Sequence, residues 1–237
     1  MIEVVFFDAG ETLLRPHPSF PELLSTVATQ AGHPVTPERV HTVQERLAPH
    51  LVELADECGI EKPSLNSDDS LRFWSHLYRR LLGELGIEDE ALVAKMYSTF
   101  SSPSSYKLFD DVLPALRAVA EMGLRIGLIS NFEEWLEEML VELEVGHLFE
   151  ISVISGLVGV EKPDPLIYEM ALERAGVDAR RAVHIGDSPL TDVEPSRSVG
   201  MTPVLLDRYD RYPDPGVARV TSLSEIPALL RSLSLRD

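Results

Sequence analysis

The chain has 237 residues, with 21 Lys and Arg against 39 Asp and Glu for a formal net charge of −18, and is 44% hydrophobic. That composition suits a folded chain burying about 70–75% of its unfolded surface in one large or two modest domains, and it excludes disorder along the whole length. The acidic surplus, with a pI near 4.7, leaves no excess of cations to lay along a nucleic-acid backbone or an anionic membrane, so neither is expected as a partner.

The N-terminal run Val4–Phe7 reads as a strand, because no basic region precedes it as a signal peptide would require. The long stretch that follows reads as nearly all helical. Thr36-Pro37-Glu38 opens a helix carrying Val40, Val43, Leu47, Leu51 and Leu54; a second is expected over 71–85 and a third over 89–97. Within the second, Trp74, Leu77, Tyr78, Leu81 and Leu85 follow helical periodicity and are expected in a core, Trp74 or Tyr78 lining a substrate pocket being the alternative. Arg15, His17 and Phe20 near the entry are further pocket candidates. An insertion of this length is too large for a crossover, and Pro-rich and Ser-rich segments flank it. The expected division is therefore a core of 1–15 and 106–237 with a helical insert at 16–105.

Beyond the insert, strands are expected at 125–129, 151–154, 182–185 and 203–206, separated by helical patterns, the spacing of βαβ units around a parallel sheet. Asp164-Pro165 reads as a helix start and Gly176 as its end. Cys58 has no partner for an internal disulfide, and no apolar run approaches the roughly 20 residues that span a bilayer, so a reducing cytoplasm is the expected compartment.

Parallel sheets present ligand sites beyond the carboxyl ends of their strands. The first strand ends in Asp8, the second in Ser130-Asn131, and the fourth in Gly186-Asp187 with Asp192 five residues on; Lys162 follows the third. Asp8 could cap the next turn, but a carboxylate emerging from an apolar run is costly unless a cation or several donors meet it. Ser130 and Asn131 read either as the cap of a helix beginning near Phe132 or as an anion site at that helix's N-terminus. Lys162 is one of four lysines beside 17 arginines. Carboxylates, a hydroxyl and a lysine at one edge suit Mg²⁺ and a phosphate.

DAGETL, LISN, EKPDP and IGDSPLTD, in this order and spacing, resemble the four motifs of the haloacid dehalogenase (HAD) superfamily of hydrolases, and the helical insertion resembles its C1-type cap. Within it, LISNF and KPDP are similar to the haloacid dehalogenase-like hydrolase domain-containing 3 group. The resemblance implies an α/β, Rossmann-like core with strand order 5-4-1-2-3 and an inserted all-helical cap. It implies Asp8 as nucleophile and Mg²⁺ held by Asp8, the Gly10 carbonyl and Asp187, with Asp192 ligating through water or orienting Asp187. Ser130, the Asn131 amide and Lys162 would hold the phosphoryl group. The substrate would be a small phosphorylated metabolite, and the protein a monomer or weak homodimer.

One position departs from the resemblance. The phosphatase pattern Asp-x-Asp supplies a general acid at its second Asp, and that place is Gly10 here, followed by Glu11. General acid–base catalysis is typically worth 10²–10⁴-fold, so turnover is expected to be slow unless Glu11 or water substitutes. The same absence keeps open a metal-independent 2-haloacid dehalogenase, a phosphonoacetaldehyde hydrolase, and a phosphometabolite-binding protein with little turnover.

Overall fold

The computed structural model describes residues 1–60 and 62–234. The chain divides into two compact units, one made of Met1–Leu14 and the chain from Leu108 onward, the other of Arg15–Lys107. In chain order the elements begin with β1 (Val4–Phe7) and β2 (Leu14–Pro16), followed by helices α1 (Phe20–Gln30), α2 (Pro37–Leu47), α3 (Leu51–Glu57), α4 (Ser67–Glu84) and α5 (Glu90–Phe100). Then come β3 (Tyr106–Leu108), α6 (Val112–Glu121), β4 (Arg125–Ser130), α7 (Leu136–Glu142), β5 (Ile151–Ile154), α8 (Ser155–Val158) and α9 (Pro165–Ala175). The remainder is β6 (Ala182–Gly186), α10 (Glu194–Ser198), β7 (Thr202–Leu206), β8 (Ala218–Val220) and α11 (Ile226–Ser234).

In the helical unit each long helix starts on a side-chain cap. Ser19, Thr36, Asn66 and Asp89 each accept a backbone N–H of the first turn, satisfying a donor that has no intrahelical partner. Helix α1 has no counterpart among the sequence expectations, although Ser19 followed by Pro21 is a start signal. The helix expected to run unbroken from Pro37 past Leu54 is interrupted at Ala48–His50, because Pro49 has no N–H to give the preceding turn. Apolar positions of α1, α2, α4 and α5 meet in one cluster that includes Leu24, Val40, Tyr78, Leu81, Met96 and Phe100. Leu77, Tyr78, Leu81 and Leu85 are buried as their periodicity requires, but Trp74 is 38% exposed. Its neighbour Phe73 takes the inner position, packing with Leu54, Ala55, Ile60 and Leu77 against α3.

The other unit is built on a six-stranded sheet in the order β5-β4-β1-β6-β7-β8, with every neighbouring pair parallel. Its first five members have the expected order; β8, three residues long, extends the edge beyond β7. Central strand β1 is wholly buried, which explains why its sequence is continuously apolar rather than alternating. Gly127 makes room for it: a Cβ there would lie 2.4 Å from the Phe6 ring. The chain runs outward from β1 through β4 to β5, then returns to β6 on the other side of β1. The order therefore reverses between β4 and β6, and the carboxyl ends of β4, β1 and β6 surround the resulting crevice.

Candidate active site

Asp8 is the first residue beyond β1, and its amide continues the ladder by donating to the Ile185 carbonyl at 2.9 Å. The residue is only 6% exposed. Lys162 Nζ stands 2.7 Å from Asp8 Oδ1 and 2.7 Å from Asp192 Oδ1, so one ammonium joins two buried carboxylates. The Ser130 hydroxyl, at the end of β4, donates to Asp8 Oδ1 at 3.4 Å. Asp187 follows β6 and is half-buried. The carboxylates of Asp8, Asp187 and Asp192 offer oxygens that all lie within 4.8 Å of one another.

Asp192 sits in a π-helical turn, Pro189–Val193, capped by the Ser188 hydroxyl. Its Oδ2 accepts the Ser188 N–H at 3.1 Å, and its Oδ1 accepts His184 Nε2 at 3.0 Å as well as Lys162. Gly186 permits this approach, since a Cβ there would fall 2.2 Å from Asp192 Cγ. With both oxygens engaged, Asp192 is placed to orient Lys162.

Asn131 corrects an expectation. Helix α7 begins at Leu136 rather than near Phe132, so neither Ser130 nor Asn131 caps it. The carboxamide of Asn131 instead grips the Lys162 peptide, accepting from its N–H at 2.6 Å and donating to its carbonyl at 2.8 Å. Phe132 N–H is taken by Ser155 Oγ at 2.9 Å, and these bonds hold the segment extended where a helical turn would have used the same groups. Lys162 also lies one short helix further from β5 than its sequence position suggested, since α8 intervenes; Asp164 and Gly176 bound α9 as expected.

The electrostatics are those of a cluster short of positive charge. Burial pushes the Asp8 carboxyl up, partly opposed by Lys162, and pushes Asp187 well above the usual carboxylate range, with the charges of Asp8 and Asp192 adding to it. Burial acts against ionised Asp192 too, but Lys162 and His184 overcome it and hold that carboxyl below its ordinary value. Lys162 is desolvated, yet Asp192 and Asp8 raise its affinity for the proton. A hard divalent cation, which takes oxygen ligands, fits the donor set of Asp8 and Asp187.

At Gly10 a Cβ would meet nothing within 4 Å, so the place of the absent acid is open space. Glu11 adopts a left-handed φ of 54°, and its Oε2 accepts from the Tyr209 hydroxyl at 3.1 Å. It lines a cavity of about 150 Å³ together with Asp187, Arg208 and Tyr209. The Arg208 guanidinium, paired with Asp111, donates to the Thr12 carbonyl at 2.7 Å and so secures the turn after Asp8.

His184 escaped the sequence reading. The available signal was a polar residue within the otherwise apolar strand Ala182–Gly186.

A parallel sheet whose carboxyl edge gathers Asp8, Ser130, Lys162, Asp187 and Asp192 at its switch point defines a hydrolase core with a carboxylate centre. The family model for haloacid dehalogenase-like hydrolases matches residues 2–200, and the chain belongs to that family. It is 33% identical over 235 residues to the haloacid dehalogenase-like hydrolase domain-containing protein 3 of Danio rerio, covering 96% of each chain. It is 30% identical to a glyceraldehyde 3-phosphate phosphatase of Methanopyrus kandleri, covering 90% of this chain and 87% of that one. Its fold matches L-2-haloacid dehalogenase from Xanthobacter autotrophicus with a TM-score of 0.72 at 19% identity, covering 98% and 99% of the two chains. No helix among the described residues is long and apolar enough to cross a membrane.

Proposed function

We propose that this hydrolase cleaves a small phosphomonoester through a covalent phosphoryl intermediate on Asp8, with Mg²⁺ as cofactor. The observation that carries the reading is Lys162 Nζ set 2.7 Å from both Asp8 and Asp192 beside a third carboxylate, Asp187. Phosphoryl transfer asks mainly for positioning and charge neutralisation, and a carboxylate beside an ammonium and a hydroxyl supplies both. Asp8 attacks phosphorus and the alkoxide or phenolate departs; water then hydrolyses the acyl phosphate and restores Asp8. Ser130, the Asn131 backbone amide and Lys162 bind the phosphoryl oxygens, and Asp192 keeps Lys162 directed at them.

Asp8, the Gly10 carbonyl and Asp187 would hold Mg²⁺, with Asp192 behind them. When bound, the ion neutralises phosphoryl oxygens and offsets the surplus of carboxylates. With open space at Gly10 and Glu11 bonded to Tyr209, no side chain of the first motif protonates the leaving group. Turnover is accordingly slow, and substrates whose leaving group needs little protonation are favoured.

The test is phosphate release from p-nitrophenyl phosphate and a panel of phosphomonoesters, with and without EDTA, beside an Asp8→Asn control. Metal-dependent release well above that control is expected. Release no greater than the control across the panel would sink the reading in favour of a binding protein, and halide release from 2-haloacids without metal would replace it with dehalogenation.

A further inference from the structure

We propose that His184 is a positioning residue of the reaction, fixing the Asp192 carboxylate so that Lys162 is aimed at the phosphoryl site; this rests on the hydrolase reading above. The His184 side chain is fully enclosed within β6, and its Nε2 reaches Asp192 Oδ1 at 3.0 Å, the oxygen that Lys162 Nζ also meets at 2.7 Å. The Ser188 amide occupies the other oxygen at 3.1 Å. Two donors on one oxygen and a third on the other fix the plane of the carboxylate, and with it the direction in which the lysine is drawn. Without the imidazole, Asp192 Oδ1 keeps Lys162 alone, and the pair can swing together away from Asp8.

The opposite ring nitrogen indicates that packing is not the reason for this side chain. His184 Nδ1 is buried with no hydrogen-bond partner among the described residues. An unpaired buried polar atom is unfavourable, and an apolar side chain like those of Val183 and Ile185 would avoid it. The ring is nevertheless held firmly. Tyr168 of α9 stands edge-on to it with centroids 5.1 Å apart, while the Tyr168 hydroxyl donates to the carbonyl of Thr191, the residue before Asp192. Helix α9, strand β6 and the π turn thus close around one hydrogen bond. Since Asp192 accepts at both oxygens, Nε2 is the donor of this bond.

The experiment compares wild type with His184→Leu, His184→Met and His184→Gln. The readouts are p-nitrophenyl phosphate kinetics with Mg²⁺, orthovanadate affinity, thermal unfolding, and ¹⁵N NMR of the wild-type imidazoles. Loss of an outer hydrogen bond of this kind typically costs 10–100-fold, so the Leu and Met variants should lose about that factor in kcat and in vanadate affinity, with KM changed far less. Gln, whose amide can donate from the same place as Nε2, should recover most of it. The wild-type ring should show a proton on Nε2.

An unchanged kcat and vanadate affinity in folded His184→Leu overturns the inference, as does an equal loss in Leu and Gln, which would make the ring a packing element. Should neither apolar variant fold, a wild-type proton on Nε2 supports the inference and a ring without one there overturns it. A wild type that neither hydrolyses the ester nor binds vanadate removes the hydrolase reading and this inference together. An active wild type with an indifferent His184→Leu removes the inference alone.

Discussion

Replacing Lys162 by Met keeps most of the side chain's volume while removing its charge, and the consequence for stability follows from the geometry. The lysine side chain is 3% exposed and makes two 2.7 Å bonds to carboxylates that are themselves almost fully enclosed. Removing one partner of a buried ion pair costs about 3–5 kcal/mol, because the surviving charges are left desolvated. At roughly 2–4 °C per kcal/mol for a chain of this size, the midpoint should fall by about 6–20 °C at neutral pH. The loss should also depend on pH. In the wild type the Asp192 carboxyl lies below its unfolded value of about 3.9, so its stabilising contribution is present above that pH and disappears as pH falls through the lower, folded value. In the variant, burial acts on Asp8 without Lys162 to oppose it, so a carboxyl already raised in the wild type rises further. The penalty is then largest at high pH and shrinks as acid supplies the missing proton. Urea unfolding followed by circular dichroism near pH 7.5 and pH 5 measures both effects. A loss below about 1 kcal/mol at the higher pH, or one that is the same at both, would refute the view that Lys162 is the charge holding this cluster together.

Gly10→Asp, introduced where a Cβ has open space, should raise kcat by about tenfold or more and flatten the dependence on leaving-group acidity, measured with a series of substituted phenyl phosphates. An unchanged rate in a folded variant would show that the missing acid is not what limits turnover. Gly186→Ala should be destabilised by about 1–3 kcal/mol and lose most activity, because its methyl would fall 2.2 Å from Asp192 Cγ and displace the carboxylate that anchors Lys162; thermal unfolding and phosphate release check this together.

Much of this fold is written locally. The buried run Val4–Phe7, the Asp164-Pro165 start and Gly176 stop of α9, and the spacing of the later strands carry the parallel sheet with little help from tertiary context. The residues at the strand ends were legible because a sheet that reverses at β1 must bring Asp8, Ser130, Lys162, Asp187 and Asp192 to one edge. What was illegible depended on partners remote in sequence. Ser-Asn after an apolar strand looks like a helix cap until Lys162, 31 residues later, takes both ends of the Asn131 amide. Trp74 and Phe73 are adjacent and both hydrophobic, so periodicity placed the wrong one inward; the position of α3 makes Phe73 the buried member. Strand β8 is three residues long and too short to carry any alternation. His184 went unnoticed because its partner, Asp192, lies in a π turn that no local signal announces.

The two bonds of the Asn131 carboxamide to the Lys162 peptide have a different character from the bonds of the lysine's own ammonium. They join neutral groups, so proton concentration and salt hardly touch them, whereas in the proposed reaction the contacts of Nζ change whenever Asp8 is protonated, phosphorylated or drawn toward a cation. The backbone of Lys162 would therefore keep its place through a reaction cycle in which the charge on Asp8 is rearranged. Only the flexible end of the side chain has to follow the chemistry, and it starts each turn from the same point.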